Sequence, residues 1–414
     1  MNREKLFFIG ILVLALIACV AGFSLIESRG DDSLPATPER TAVAPTPSEE
    51  VADVPPLSPG EPDGSAVSRV TVVNVKKADA ILVQAGGKAF LIDTGTKESA
   101  PALLGVLHRL GAERLDAIFL THTHADHVGG VEAIAANLSV GTLYAAAISE
   151  NKKNGENKIT ELSEQTGLPL VRLNAGETAE LFTVLGPITK NTDDDNDNSL
   201  VLKCALGGKT YLFAGDMQFA EEDTLLSAGV DVSADVLKVG NHGNPDATGE
   251  EFARAVGAKL ALISTDTLDD ADSANPRVLR ALDGAAVYVS EDTPCGIVKE
   301  TLPDGTERLF ALDAAKPVDA KVVIEAVDVE TQTVTLRNDG ESAELSGWML
   351  FSERGGELYR FPAGTVLDSG KRLFVGGASN ETKYRFRDDS PWNRKKSDTA
   401  VLYDANGTEM SRCP

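Results

Sequence analysis

The feature that most limits what this chain can fold into is the run Thr121-His122-Thr123-His124-Ala125-Asp126-His127-Val128-Gly129-Gly130. It follows directly on an apolar, strand-like stretch, Ala117-Ile118-Phe119-Leu120. Histidine is scarce, with five in the chain, and His122, His124 and His127 all fall in this run. Three imidazoles and a carboxylate so close together do nothing for packing. They are the donors that Zn²⁺ and related ions take. In a loop, His122 and His124 can point to one ion while Asp126 and His127 point to another. Gly129-Gly130 permits a tight turn into a following helix, whose N-terminus then lies near the site.

The surrounding pattern is that of a layered α/β protein. Val70-Thr71-Val72-Val73 is strand-like, and Ala80-Ile81-Leu82-Val83 and Ala89-Phe90-Leu91-Ile92 flank Gly86-Gly87 as a hairpin. A helix is expected from about Ser99 to Leu110, and helices and strands then alternate to about residue 311. From about Asp319 strands become short and turns frequent, as at Asn338-Asp339-Gly340 and Asn406-Gly407, which reads as a small all-β sandwich. Leu312 to Pro317 is the expected joint.

The N-terminal part reads differently. Leu6 to Ile26 is a run of 21 residues without a charge, close to the ~20 that span a bilayer as a helix. Arg3 and Lys5 precede it and Glu27, Asp31 and Asp32 follow, an asymmetry that places the rest of the chain outside the cytoplasm. The expected organisation is a membrane anchor or signal segment over 1–28, a disordered Pro/Ser/Glu-rich linker over 29–67, a hydrolase-like domain over 68–312 and a β-sandwich over 318–414. Leu16-Ile17-Ala18-Cys19 also looks like a lipoprotein box, so lipidation at Cys19 or secretion are the alternatives to an uncleaved anchor. Cys19, Cys204, Cys295 and Cys413 form no CxxC pair. Cys204 and Cys295 read as two isolated thiols, with a disulfide between them as the alternative in an oxidising compartment. The formal net charge of -24 argues against indiscriminate coating of DNA, because phosphate binding needs Lys and Arg.

The His/Asp run resembles the HxHxDH signature of the metallo-β-lactamase superfamily, and further parts of that pattern occur in order. Leu91-Ile92-Asp93-Thr94-Gly95 matches its early aspartate turn, Leu212-Phe213-Ala214-Gly215-Asp216 its strand ending in a bridging aspartate, and Val236-Leu237-Lys238-Val239-Gly240-Asn241-His242-Gly243 its strand ending in the last histidine. The resemblance covers about residues 68 to 311 and implies a four-layer αββα fold holding two divalent ions, Zn²⁺ first and Mn²⁺ second. It implies His122 and His124 on one ion, Asp126, His127 and His242 on the other, and Asp216 bridging. Asp126 and Asp93 are the residues it assigns to catalysis, Asp126 orienting the attacking hydroxide or taking its proton and Asp93 supporting the metal loop from behind. His108, in the amphipathic helix, reads as solvated.

Within the superfamily the sequence is most similar to the extracytoplasmic domain of ComEC-type DNA-uptake proteins, through Leu115 to His122, Val184-Leu185-Gly186-Pro187, Asn198 to Leu202 and Asp235 to Val239. That family implies hydrolysis of nucleic-acid phosphodiester bonds by a hydroxide generated between two metals. The chain departs from it at Asn241-His242, His124, Lys76-Lys77-Ala78 and Asn275-Pro276. No third histidine for the first metal occurs between His127 and His242, and Asp195, Asn196 and Asn198 are the candidates in that region. Residues 319 to 414 resemble a lamin-tail domain, an immunoglobulin-like sandwich, through Val334 to Asn338, Leu345-Ser346-Gly347-Trp348, Phe361 to Gly364, Trp392 and Asp398 to Asp404. Trp348 and Trp392 read as core anchors. Lys383, Arg385, Arg387, Arg394, Lys395 and Lys396 offer a basic stretch for nucleic-acid phosphate or a cell-surface polymer, with a solvated loop as the plain alternative. The reading is an extracytoplasmic nuclease or phosphodiesterase; the alternatives are a hydrolase of a small ester, lactone or amide, and a non-catalytic surface binding protein.

Overall fold

The computed structural model describes residues 54–148 and 157–414. The expected membrane segment, Cys19 and most of the expected linker lie outside these residues. Among the described residues no helix is long and apolar enough to cross a membrane.

Two mixed sheets, of nine and seven strands, face one another. Successive side chains of a strand point to opposite faces, so alternate apolar residues line the facing sides of the two sheets. Val70, Val72, Val83, Phe90, Ile92, Ala117 and Phe119 from one sheet meet Phe182, Val184, Leu202, Tyr211 and Phe213 from the other. Phe119 and Phe182 lie edge to face at 4.7 Å, and Phe182 meets Phe213 at 6.2 Å. The opposite sides carry helices. Ala100–Arg109 and Val131–Asn137 cover the nine-stranded sheet, and Phe219–Ser227, Glu250–Val256 and Pro276–Ala281 cover the other. This is the expected four-layer order. The hairpin Ile81–Ala85 and Lys88–Ile92 and the helix Ala100–Arg109 lie where the pattern puts them.

The linker reading needs correction at its end. Pro59–Gly60 pairs in parallel with Ala311 and Leu312, the Asp63 N–H meets a Glu300 oxygen at 3.2 Å, and Arg69 donates to Asp63 O at 2.7 Å. A Pro-rich stretch shows no strand periodicity, so only the neighbouring strand's edge reveals that it is ordered. Cys204 and Cys295 are free thiols. Burial pushes the Cys204 thiol up to about 12, which makes it inert at neutral pH.

Residues 322–413 form two four-stranded sheets and a two-stranded one around a core in which Trp348 and Trp392 are 2% and 1% exposed. Both tryptophans are core anchors, as read. The sandwich is not a loose appendage. Met349 belongs to the same buried cluster as Leu103, Leu107, Val131 and Ile134, with Leu358 and Tyr403 packed against it. Arg387 Nη2 donates to Ala136 O at 3.2 Å, Arg360 reaches Asn137 O and Glu113 at 3.5 Å, and Lys97 Nζ donates to Gly355 O. One member of the basic stretch, Arg387, is therefore spent on this contact.

Because the two domains share buried apolar surface, Met349→Ala should cost about 2–5 kcal/mol. Chemical denaturation followed by tryptophan fluorescence (both tryptophans lie in the sandwich) and by far-UV circular dichroism should give coincident transitions. Two separate transitions, with only the sandwich affected, would show that the domains are independent.

Candidate metal centre

The site is built at the carboxyl ends of strands, with Asp126 and His127 in the short helix Ala125–Val128 that follows one of them. Asp93 follows Lys88–Ile92, His122 follows Arg114–Leu120, Asp216 follows Lys209–Phe213 and His242 follows Val236–Lys238. The first two strands are parallel neighbours in one sheet, and the last two are parallel neighbours in the other. The site therefore lies along one open edge between the sheets, where α/β folds carry their ligands. The two edges approach closely. Thr121 O accepts from Leu200 N at 2.9 Å, and a Cβ on Gly215 (φ +56°) would lie 2.8 Å from Ser199 Cβ and 3.0 Å from Thr121 Cβ, so only glycine fits there.

Asp126, His127, Asp216 and His242 each present a ligand atom within 4.8 Å of the others. His127 Nε2 lies 3.1 Å and His242 Nε2 3.4 Å from Asp216 Oδ2, and His242 Nε2 lies 3.5 Å from Asp126 Oδ2. His122 is completely buried beside this group, its Nε2 3.9 Å from the same Asp216 oxygen. Asp216 thus takes the central position expected of it. His124 is exposed, at the cap of the short helix Ala125–Val128, with its ring 4.5 Å from that of His122.

Each buried histidine is held through its other nitrogen. His127 Nδ1 lies 2.8 Å from Asp93 Oδ2, and His242 Nδ1 donates to Ser264 O at 2.8 Å. His122 Nδ1 meets Thr121 Oγ1 at 3.1 Å and Ser199 Oγ at 3.3 Å. The Nε2 atoms of all three, and Asp216 Oδ1, are buried without a hydrogen-bond partner. All three Nε2 atoms lie 3.1 to 3.9 Å from Asp216 Oδ2. Leaving such atoms unpaired costs about 1–3 kcal/mol each. Four of them converging is the arrangement that a cation repays, and imidazole and carboxylate are the donors a Zn²⁺ or Mn²⁺ ion takes. The residues therefore fit a divalent metal.

Charges follow the same geometry. Burial, and then the neighbouring His127, hold His122 well below the usual histidine range, in the neutral form that ligates. Burial opposes charge on His127 and His242 too, but Asp216 with Asp93 draws His127 well up, and Asp216 with Asp79 draws His242 up to about 9. Asp216 is held well below the carboxylate range, because His127 and His242 outweigh its burial.

Asp93 is fully buried and accepts from Thr121 N at 2.8 Å and Thr121 Oγ1 at 2.7 Å besides holding His127. It touches nothing that could be substrate, so its assignment to catalysis narrows to positioning. Of the candidates for a further ligand, Asp195 braces the loop instead, accepting from Thr123 N at 2.9 Å and Thr123 Oγ1 at 2.6 Å. Asn198 is bonded within its own turn to Asn191 and Asp195, and Asn196 Oδ1 is buried without a partner. None of the three belongs to the four-donor group. His108 lies beside Glu113, partly exposed.

Four residues were missed from the sequence as parts of this site. Asp79 is buried behind His242, 3.6 Å from its Nδ1, and pairs with the equally buried Lys238 at 3.0 Å. Lys238 is the one charge in the apolar strand Val236–Lys238, and a buried lysine demands a buried partner. Lys77 Nζ lies 2.8 Å from Asp126 Oδ2 at the mouth of the site. Glu222, from the helix that follows Asp216, accepts from the N–H groups of Thr248 and Gly249 and so ties down the loop that carries His242. Burial raises its carboxyl to about 7.

Residues 73–267 match the family model of the metallo-beta-lactamase superfamily, and residues 315–414 match that of the Lamin Tail Domain. ComE operon protein 3 of Bacillus subtilis (strain 168) is 27% identical over 57% of this chain and 33% of its own length. Competence protein ComA of Neisseria gonorrhoeae is 28% identical over 47% of this chain and 27% of its own. The chain thus spans about a quarter to a third of the length of the first curated relatives it matches. Among solved structures, the metallo-beta-lactamase fold protein YhfI from Bacillus subtilis is 18% identical over 60% of this chain and 97% of that one, with a TM-score of 0.38. A diphosphatase from the PhnP family is 17% identical over 59% and 98%, with a TM-score of 0.37.

Asp93→Ala frees the His127 ring, and metal affinity should fall about 10–100-fold while the fold persists, as measured by competition with a chromophoric chelator. A second expectation concerns pH. The Glu222 carboxyl is raised in the folded state above its ordinary 4.5, so its contribution is complete below about pH 4.5 and is lost as the pH rises through about 7. Over that window Glu222→Gln should remove on the order of 1–3 kcal/mol of the wild-type decline in stability. Parallel slopes for the two proteins in denaturant titrations at pH 5 and pH 8 would contradict this.

Proposed function

Starting from a chain that carries a metallo-beta-lactamase superfamily domain followed by a lamin tail domain, we propose a metal-dependent phosphodiesterase that works outside the cytoplasm on nucleic-acid backbone. The observation that carries the hydrolytic reading is the set of three buried, unpartnered Nε2 atoms converging on Asp216. The similarity to competence proteins supports a nucleic-acid substrate. The uncharged run Leu6 to Ile26, with basic residues before it and acidic ones after, supports the location, as an anchor or as a lipoprotein through Cys19. The basic residues of the C-terminal sandwich other than Arg387 offer phosphate or surface-polymer contacts.

Asp126, His127, Asp216 and His242 would hold a divalent ion, with His122 and Asp216 the nearest donors to a second and His124 at the edge. Such an ion supplies Lewis acidity, making water a better nucleophile and neutralising charge that develops on a phosphoryl oxygen. The protein's own part is positional. Asp93 fixes the His127 ring; Ser264 and the Asp79–Lys238 pair fix that of His242. Asp126 is the one acid of the group with an exposed edge, its side chain 21% accessible, so it is the residue that meets the attacking water and takes its proton.

The test is cleavage of single- and double-stranded DNA by the purified chain with Mn²⁺, Zn²⁺ or no added metal. Metal-dependent cutting is expected, falling about 10²–10⁴-fold in Asp126→Ala and abolished in His122→Ala. Retained metal-stimulated cutting by Asp126→Ala would sink the role given to that carboxylate. Intact DNA alongside turnover of a small ester or lactone would move the substrate to that class. A folded, metal-loaded protein that turns over neither would be a binding protein.

A further inference from the structure

Acid walls much of the mouth of this site. Asn241 and Asn244 flank the His242 turn, and their side chains donate to Asp246 at 2.9 Å and Asp270 at 3.0 Å. Lys76 Nζ lies 3.6 Å from Asp266 and 4.0 Å from Asp269, so its charge is already shared with that wall. The next residue, Lys77, reaches the metal-ligand group instead, with its Nζ 2.8 Å from Asp126 Oδ2. That oxygen is also the one 3.5 Å from His242 Nε2. Among the described residues no other lysine or arginine pairs with Asp126 or Asp216. Lys238 is buried behind His242 and committed to Asp79 and to Val239 O.

Lys77 and a divalent cation therefore compete for one carboxylate oxygen. With Asp126 given over to a cation, the ammonium would lose its counter-charge and stand near a like charge. Lys77 has four methylenes and a side chain 27% exposed, so its head can swing to the open side without disturbing the fold. We propose that Lys77 is a catalytic residue that holds an anionic oxygen of the substrate beside the reacting phosphorus. This rests on the hydrolytic reading above. The group it would hold is the phosphodiester of that reading, whose single non-bridging charge one ammonium can meet.

The experiment compares the full-length wild type with Lys77→Met and Lys77→Arg by three readouts. These are metal content by mass spectrometry, calorimetric affinity for diethyl phosphate, and turnover of bis(p-nitrophenyl) phosphate beside p-nitrophenyl phosphate. Lys77→Met should hold at least as much metal as the wild type, since a competitor for Asp126 is gone, yet lose about 10–100-fold in diethyl phosphate affinity and in kcat/KM for the diester, the range of a hydrogen bond to a charged group. Lys77→Arg should recover part of both, and the wild type should prefer the diester. Unchanged affinity and turnover in Lys77→Met at equal metal content would overturn the assignment. So would a gain in metal content with faster turnover, which would make Lys77 a stand-in for the ion. Lys77-dependent binding of diethyl phosphate by a wild type that hydrolyses no diester would refute the hydrolytic reading while keeping Lys77 as the anion-holding residue.

Discussion

An imidazole has two nitrogens, and the centre depends on fixing one so that the other is left facing forward. Asp93 does this for His127, Ser264 O for His242, and the hydroxyls of Thr121 and Ser199 for His122. Apart from Thr121, the anchors come from elements other than the ligand loop, so ring orientation is set largely by the packed fold. The consequence is a set of buried ring nitrogens that the protein itself leaves unpartnered. Such atoms are costly in a metal-free fold, and the cost is what makes cation binding favourable.

The two-sheet core brings those anchors together. Aromatic rings from Phe90, Phe119, Phe182 and Phe213 lock the facing sheets in one register. That register brings the strand ends of both sheets to the same edge. Two further braces tighten this edge: Asp195 grips Thr123 of the ligand loop, and Glu222 grips the turn after His242. On the far side, a Cβ on Gly130 would lie 2.2 Å from Thr94 O, so the ligand loop and the loop after Asp93 are in backbone contact. The latter loop contains Lys97, which is bonded to the C-terminal sandwich at Gly355. The sandwich therefore supports the back of the metal loop, and carries its basic residues at a fixed place relative to it.

Much of this was legible in the chain alone. The strand Ile118 to Leu120 running into His122, the strand ending in Asp216 and the strand ending in Asn241-His242 each carry a local signal: an apolar run, a turn, and a ligand residue just beyond it. The sandwich and its two core tryptophans were legible for the same reason, since period-2 alternation and turn residues are short-range properties. The less legible parts were those without periodicity. Residues 59–60 have no strand pattern, and their pairing is visible only from Ala311 and Leu312. Lys77 and Asp79 stand in an ordinary-looking turn, and nothing nearby in the sequence shows that Asp126 and Lys238 are their partners.

The sequence by itself determined the donors and the strand ends that carry them, because both are written in residue type and local spacing. Only the tertiary structure decided which donors meet. It buried His122 against Asp216 but left His124 at the surface, turned Asp195 to bracing rather than ligation, and set a lysine against Asp126. Those choices depend on distances between segments about 50 to 95 residues apart. Such distances are fixed by how two sheets pack face to face, and no local pattern records them.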